Sequence, residues 1–173
     1  DLPVVPFENV ENIFPPDDFA FFAPVYATCM NQLREKVYFK IKNKGYQLIS
    51  YVSSKAYTWN AEIGDNCFIM EGCNLQPFSK VGNDVIIWSF THLGHHSIIK
   101  DHNFLSGNVV VAGKCIIESY CFLGTNCSLR DGICIKEGSM LGMDASVIKD
   151  TDPWTVNIGV PAKSIGKNSL ECI

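Results

Sequence analysis

Residues 63–75 read Ile63-Gly64-Asp65-Asn66-Cys67-Phe68-Ile69-Met70-Glu71-Gly72-Cys73-Asn74-Leu75. Ile63, Ile69 and Leu75 stand six residues apart, and the row goes on without interruption: Val81, Ile87, Leu93, Ile99, Leu105, Val111, Ile117, Leu123, Leu129, Ile135, Leu141 and Val147. Fifteen consecutive sixth positions hold only Ile, Leu or Val. Four places after each, small side chains dominate, with Cys67, Cys73, Ser79, Thr91, Ser97, Cys115, Cys121 and Cys127 among them. Glycine often follows the aliphatic residue directly, as at Gly64, Gly82, Gly94, Gly124 and Gly142. A period of six fits neither a helix nor a continuous strand. It fits a short strand plus a turn, three of which close one triangular coil with its aliphatic residues inside. Stacked coils of this kind form the hexapeptide parallel β-helix. The fold class expected is therefore all-β, a parallel β-helix of about five coils spanning roughly residues 61–150.

The flanks read differently. Phe19 to Tyr26 is apolar and suits a buried strand. Thr28 or Asn31 is placed to cap a helix whose apolar stripe would be Met30, Leu33, Val37 and Ile41, with Gly45 as its C-terminal stop. Tyr46 to Val52 then reads as a strand. This strand–helix–strand segment looks like the second half of a small α/β domain, without the glycine-rich phosphate turn that normally opens one. Pro153 falls on the next register position and is expected to end the repeat. The expected division is a partial α/β segment over 1–52, the β-helix over 53–153, and a tail over 154–173 holding Gly159-Val160-Pro161-Ala162-Lys163.

Composition narrows the function. The 173 residues, 47% of them hydrophobic and 18% charged, allow one domain with a substantial core. A net charge of −4 argues against a generic nucleic-acid or anionic-membrane binder. No apolar run approaches a membrane span, and no signal peptide opens the sequence. The first residue is Asp rather than Met, which leaves upstream processing or truncation open. Eight cysteines would suggest disulfides in a secreted chain. Five of them share one slot of the repeat, where a thiol serves as a small hydrophobe, and reduced thiols suit a cytoplasmic protein.

All four histidines, His92, His95, His96 and His102, fall within eleven residues. Histidine is the commonest general base near neutral pH, and this cluster is the candidate catalytic centre. One coil after His95, eighteen residues on, stands Gly113. It either serves the turn alone or lets its backbone N–H approach a ligand and stabilise an oxyanion.

The repeat resembles the bacterial hexapeptide-repeat acyltransferases, and the tail resembles the Gly-x-Pro-Ala-Lys ending of acetyl-CoA-dependent members. The stretch Leu93-Gly94-His95-His96-Ser97-Ile98-Ile99 is similar to the active-site coil of the sialic acid O-acetyltransferase and nucleotide-amino-sugar N-acetyltransferase family, which includes the bacillosamine- and perosamine-pathway enzymes. The resemblance implies a left-handed coil and a homotrimer, which would cover outward apolar residues such as Trp88, Phe90 and Phe104. It implies direct transfer from acetyl-CoA to a sugar amine, or alternatively a sugar hydroxyl, with no covalent enzyme intermediate and no metal. His95 takes the base position and His96 the position of an acidic residue that would orient it. A second family histidine, on the acetyl-donor side, falls at Phe104. Acetyl-CoA would lie along an outer groove between subunits, its pantetheine near Gly113 and Asp131 and its phosphates near Lys163, if that lysine is more than a solvated one. His92 is a candidate for the sugar acceptor. The partners expected are a small-molecule sugar and acetyl-CoA, with no nucleic acid and no membrane. Two rivals stand beside this reading: a γ-carbonic-anhydrase-like zinc enzyme, whose ligands would have to converge from different coils and subunits, and a non-catalytic β-helix module.

Overall fold

The computed structural model describes residues 3–172. The six-residue row folds as the spacing dictates, into a left-handed parallel β-helix with two-residue strands on three walls. The first wall stacks Tyr51–Val52, Phe68–Ile69, Ile86–Ile87, Phe104–Leu105, Phe122–Leu123, Met140–Leu141 and Thr155–Ile158, with Lys163–Asn168 added antiparallel at its end. The second holds Asn74–Leu75, His92–Leu93, Val110–Val111, Ser128–Leu129 and Ser146–Val147. The third holds Glu62–Ile63, Lys80–Val81, Ile98–Ile99, Ile116–Ile117 and Cys134–Ile135. Pairing is residue to residue across one coil, as in Leu93 opposite Val111. Every aliphatic residue of the row from Ile69 to Val147 is buried, and Ile63, at the open end, is partly buried against them.

The corners explain the handedness. Three places after each aliphatic residue the backbone turns into the left-handed region, with φ near +60° at Asn66, Asp84, His102, Asn108 and Asn126 among others. Asn, Asp and His tolerate this conformation better than other side chains, and Gly best of all. The small residue one place on fills the corner and bridges coils. The Ser97 hydroxyl accepts from the Cys115 N–H at 3.0 Å and donates to the Ala112 carbonyl at 2.9 Å. The cysteines of the row donate in the same direction, Cys115 Sγ lying 3.1 Å from the Arg130 carbonyl oxygen and Cys121 Sγ 3.2 Å from that of Lys136. All eight cysteines are free, and burial pushes the Cys67 thiol up to about 11 and that of Cys127 up to about 12. The five buried cysteines of the row, whose thiol pKa values burial raises, are protonated packing residues.

The coil runs further than the aliphatic row, to about six turns. Val52 pairs with Ile69 seventeen residues on, one fewer than the regular eighteen, so the first turn slips out of the six-residue register. At the other end Pro153 does not stop the wall. Val156 pairs with Met140, and the Gly159–Lys163 turn then closes on Ser146, whose carbonyl accepts from the Ala162 N–H at 2.7 Å.

The N-terminal segment departs from the expected strand–helix–strand. Phe19 to Tyr26 forms only a bridge between Phe21 and Leu48, and Phe19 and Tyr26 are exposed. Tyr51–Val52 belongs to the coil instead of to a separate sheet. The helix, α1, runs Gln32–Asn43 with Asn31 at its N-cap and Gly45 (φ +90°) just past its end. Its buried face is Arg34, Tyr38 and Ile41, whereas Leu33 is exposed. The stripe is rotated because α1 docks on the coil through charge. Arg34 Nε lies 3.1 Å from Asp84 Oδ2, and Arg34 also donates to the Asp84 and Asn103 carbonyls at 2.9 and 2.8 Å. Burial pulls the Arg34 pKa down and Asp84 opposes the shift, yet a guanidinium stays charged. The Asn31 side chain does not cap the helix; its amide donates to the Cys121 carbonyl across the interface.

Candidate active site

His95 and His96 sit at the corner between the second and third walls, after the strand His92–Leu93. Gly94 lets the chain turn tightly there, since a Cβ on it would lie 2.5 Å from the Ala112 carbonyl carbon. The His95 N–H donates to Gln76 Oε1 at 3.0 Å, which pins the turn to the preceding coil. His96 is the left-handed corner residue, at φ +59°. The two rings stand nearly perpendicular, with His95 Nδ1 and His96 Nδ1 3.1 Å apart. Both side chains are exposed.

That contact constrains the protons. Between two neutral imidazoles, one Nδ1 must donate and the other accept. If His95 Nδ1–H donates, His95 Nε2 keeps a lone pair, which is the state a general base needs. His96 thus stands where a carboxylate would otherwise orient the ring, and its Nδ1 can accept the same hydrogen bond. A neutral acceptor stabilises a developing imidazolium less than a carboxylate does.

The Cε1–Nε2 edge of His95 faces the next coil. A Cβ built on Gly113 would lie 2.8 Å from both Cε1 and Nε2 of His95, and 3.3 Å from Asp131 Oδ1. Gly113, Asp131 and His95 are therefore brought together, on successive coils of one corner. The Gly113 N–H is already taken: it donates to Asp131 Oδ1 at 3.0 Å. Lys163 lies exposed beyond the Gly159–Lys163 turn, which docks on the last strand of the second wall, about 14 Å along the stack from the strand of His92 at ~4.8 Å per coil.

Two candidates do not join this cluster. Phe104 is on the first wall, buried against Phe122 in a parallel stack at 5.2 Å and edge-on to Tyr26 at 5.4 Å. It packs beneath the N-terminal segment and needs no subunit to cover it. His92 points outward from the second wall between Asn74 and Val110. The fourth histidine, His102, is buried at another corner, its Nδ1 2.8 Å from Asp84 Oδ2 and its ring stacked on Tyr120. The histidines do not converge, and among the described residues no group of three or more His, Cys, Asp or Glu side chains is arranged to hold a metal ion.

Sequence reasoning missed Gln76 and Phe78. The Phe78 ring lies 5.0 Å from that of His96, and a cavity of about 460 Å³ beside them is lined by Asn60, Ala61, Glu62, Phe78, Lys80 and His96. The eighteen-residue offset that selects Gly113 from His95 selects Phe78 from His96 when counted backward.

The family model for "Bacterial transferase hexapeptide (six repeats)" matches residues 60–95 and 78–113, which include this corner. The chain carries the bacterial transferase hexapeptide repeat over residues 60–113, and its fold is that of solved acyltransferases. Among solved structures with this acyltransferase fold is a variant of perosamine N-acetyltransferase from Caulobacter crescentus in complex with CoA and GDP-perosamine. It is 23% identical over 96% of this chain and 79% of its own, with a TM-score of 0.87. PerB from Caulobacter crescentus, in complex with the same two molecules, is 25% identical over 81% of this chain and 68% of its own, with a TM-score of 0.78. The acetyltransferase domain of PglB from Neisseria gonorrhoeae FA1090 is 21% identical over 91% and 76%, with a TM-score of 0.84.

Proposed function

We propose that this hexapeptide acyltransferase moves the acetyl group of acetyl-CoA onto the amino group of a nucleotide-linked amino sugar, in bacterial surface glycan synthesis, with His95 as general base. The observation that carries the reading is the 3.1 Å contact between His95 Nδ1 and His96 Nδ1, which leaves His95 Nε2 exposed at the edge of Gly113. Support for the substrate class comes from the perosamine N-acetyltransferase of the same fold, crystallised with CoA and GDP-perosamine.

In this reaction the amine nitrogen attacks the thioester carbonyl and a C–N bond forms. His95 Nε2 takes the proton released from nitrogen, while His95 Nδ1–H donates to His96. The C–S bond then breaks, the thiolate recovers a proton from His95, and the products are the acetamido sugar and free CoA. A free amine is a strong nucleophile, so proton removal follows attack. Gly113 contributes first by having no Cβ beside Nε2. Its N–H is available to the carbonyl oxygen only when the Asp131 carboxylate turns aside.

Lys163, exposed at the start of the strand that ends the first wall, is a partner for the CoA phosphates. His92 lies on the flank of the acceptor approach. The homotrimer is part of the reading, since Trp88 and Phe90 stay exposed on the single chain and a subunit contact would cover them. So is a cytoplasmic location, which eight free thiols suit; among the described residues, no helix is long and apolar enough to cross a membrane.

The test is release of CoA thiol from acetyl-CoA by the purified protein against GDP-perosamine and UDP- and dTDP-linked amino sugars. The reading expects saturable turnover with at least one of them. No turnover with any, or activity that depends on stoichiometric zinc, defeats it.

A further inference from the structure

The corners of this coil share a hydrogen-bonding device from which His95 departs. The backbone N–H two places after the aliphatic residue is taken up by an Asp or Asn side chain at the same position one coil on. The Asp65 N–H donates to Asn83 Oδ1 at 3.0 Å, the Asn83 N–H to Asp101 Oδ1 at 2.7 Å, and the Gly113 N–H to Asp131 Oδ1 at 3.0 Å. His95 stands in the same column as Gly113, with Pro77 one coil before it. Proline has no N–H to satisfy, so position 95 need not supply an acceptor and can carry an imidazole. Position 113 cannot supply one in turn, because any side chain there would begin with a Cβ 2.8 Å from His95 Nε2. The room that the ring needs and the usual acceptor for its own N–H exclude each other. Gln76 replaces that acceptor from the preceding coil, its Oε1 standing 3.0 Å from the His95 nitrogen.

We infer that Gln76 is a positioning residue for His95, holding the backbone from which the imidazole is aimed between His96 and Gly113. The inference rests on the acetyltransferase reading and deepens it. Gln76 is itself fixed: its N–H donates to the Leu93 carbonyl at 2.9 Å, and its carbonyl accepts from the Ser79 hydroxyl at 2.7 Å. From the following coil, the Lys114 N–H donates to the His95 carbonyl at 2.9 Å. The His95 backbone is therefore held between two coils, with Gln76 as the anchor on one side. The backbone matters here because the side chain is exposed and the ring has one hydrogen bond, the 3.1 Å contact with His96 Nδ1. Without Gln76 Oε1 the His95 N–H turns to water, and the peptide between Gly94 and His95 is free to tilt. Glycine resists such a tilt least of all residues. The tilt carries Cβ with it and swings Nδ1 away from His96 and Nε2 away from the edge of Gly113.

The test compares Gln76→Ala, Gln76→Met and Gln76→Glu in the whole chain, by steady-state kinetics with the amino sugar that the wild type acetylates and by hydrogen exchange of the His95 amide. Gln76→Ala and Gln76→Met are expected to lose about ten- to a hundredfold in kcat, with both KM values and the melting temperature unchanged. Methionine keeps the length and bulk of glutamine without its acceptor, whereas Gln76→Glu keeps the acceptor and is expected to recover most of the loss. The His95 amide should exchange up to about tenfold faster in the Ala and Met variants, the worth of one hydrogen bond, and at the wild-type rate in the Glu variant. Wild-type kcat in a folded Gln76→Met protein, equal losses in the Met and Glu variants, or one exchange rate in all four proteins would overturn the inference. So would a raised KM with kcat kept, which would make Gln76 a substrate contact. Failure of the wild type to acetylate any of the sugars defeats the acetyltransferase reading itself, and the amide exchange then still decides whether Gln76 holds His95.

Discussion

Replacing Gly113 by Ala should separate chemistry from folding at a single methyl group. The new Cβ would stand 2.8 Å from both Cε1 and Nε2 of His95, where carbon–carbon contacts settle at about 3.5–4.0 Å. The exposed imidazole must therefore retreat by roughly 1 Å. That movement stretches the 3.1 Å contact with His96 Nδ1 past the ~3.6 Å at which a hydrogen bond is no longer credible. It also pulls Nε2 off the line of attack, and a misplacement of about 1 Å can lower turnover by about a hundredfold. The fold has no reason to object. The Gly113 backbone lies outside the left-handed region, and the atoms nearest the Cβ are those of the exposed His95 ring and, at 3.3 Å, Asp131 Oδ1. Loss of glycine even stabilises by about 0.4–1 kcal/mol through the unfolded chain when the backbone permits. The assay is initial-rate thiol release beside thermal unfolding of the same sample. The expected result is a kcat lower by about ten- to a hundredfold, with a melting temperature at or slightly above wild type. Gly94→Ala is the contrast, because its Cβ would meet backbone at 2.5 to 2.7 Å and should unfold the corner. Wild-type turnover by a folded Gly113→Ala protein would refute the placement of His95 in the reaction.

His96→Phe keeps a ring on Phe78 but removes the Nδ1 acceptor, and kcat should fall about ten- to a hundredfold, whereas His96→Asp should retain it; steady-state kinetics decide. Asp84→Ala leaves a buried Arg34 without its partner and should destabilise the protein by about 3–5 kcal/mol, read by denaturant unfolding. Native protein at pH 8 should give up only Cys29, Cys134 and Cys172 to a thiol reagent, with the five row cysteines reacting only after denaturation. Burial raises the folded-state pKa of Cys67 to about 11 and of Cys127 to about 12. Their contribution is therefore complete below the ordinary thiol value near 9, and the melting temperature should fall as pH rises from 9 towards 12.

The β-helix was legible in the sequence because each coil repeats one demand: an aliphatic residue inside, and a small residue four places on where the wall bends. The register slips at Val52 and Val156 were not legible, because each pairs off the six-residue spacing, seventeen residues before Ile69 and sixteen after Met140. The helix face was misjudged for a different reason. Hydrophobic spacing pointed to Leu33 and Val37, but α1 is held by a buried ion pair, so a charged residue, Arg34, faces the core. At the site, His95 and His96 came from the histidine cluster and the family resemblance, Gly113 from coil arithmetic and Asp131 from the resemblance, and the four do lie together. Phe104 came from alignment alone, and half a coil separates it from His95, on a wall that the N-terminal segment covers. The hold of Asp131 on the Gly113 N–H depends on a side-chain rotamer, which spacing does not reveal.

The most direct test of the central claim is the turnover of His95→Ala with acetyl-CoA and the amino sugar that the wild type accepts, beside its melting temperature. The account predicts a loss of roughly 10²–10⁴ in kcat with the fold intact, since the side chain is exposed and its removal leaves no cavity. Turnover equal to wild type would take His95 out of the chemistry and leave the histidine corner without the role assigned to it.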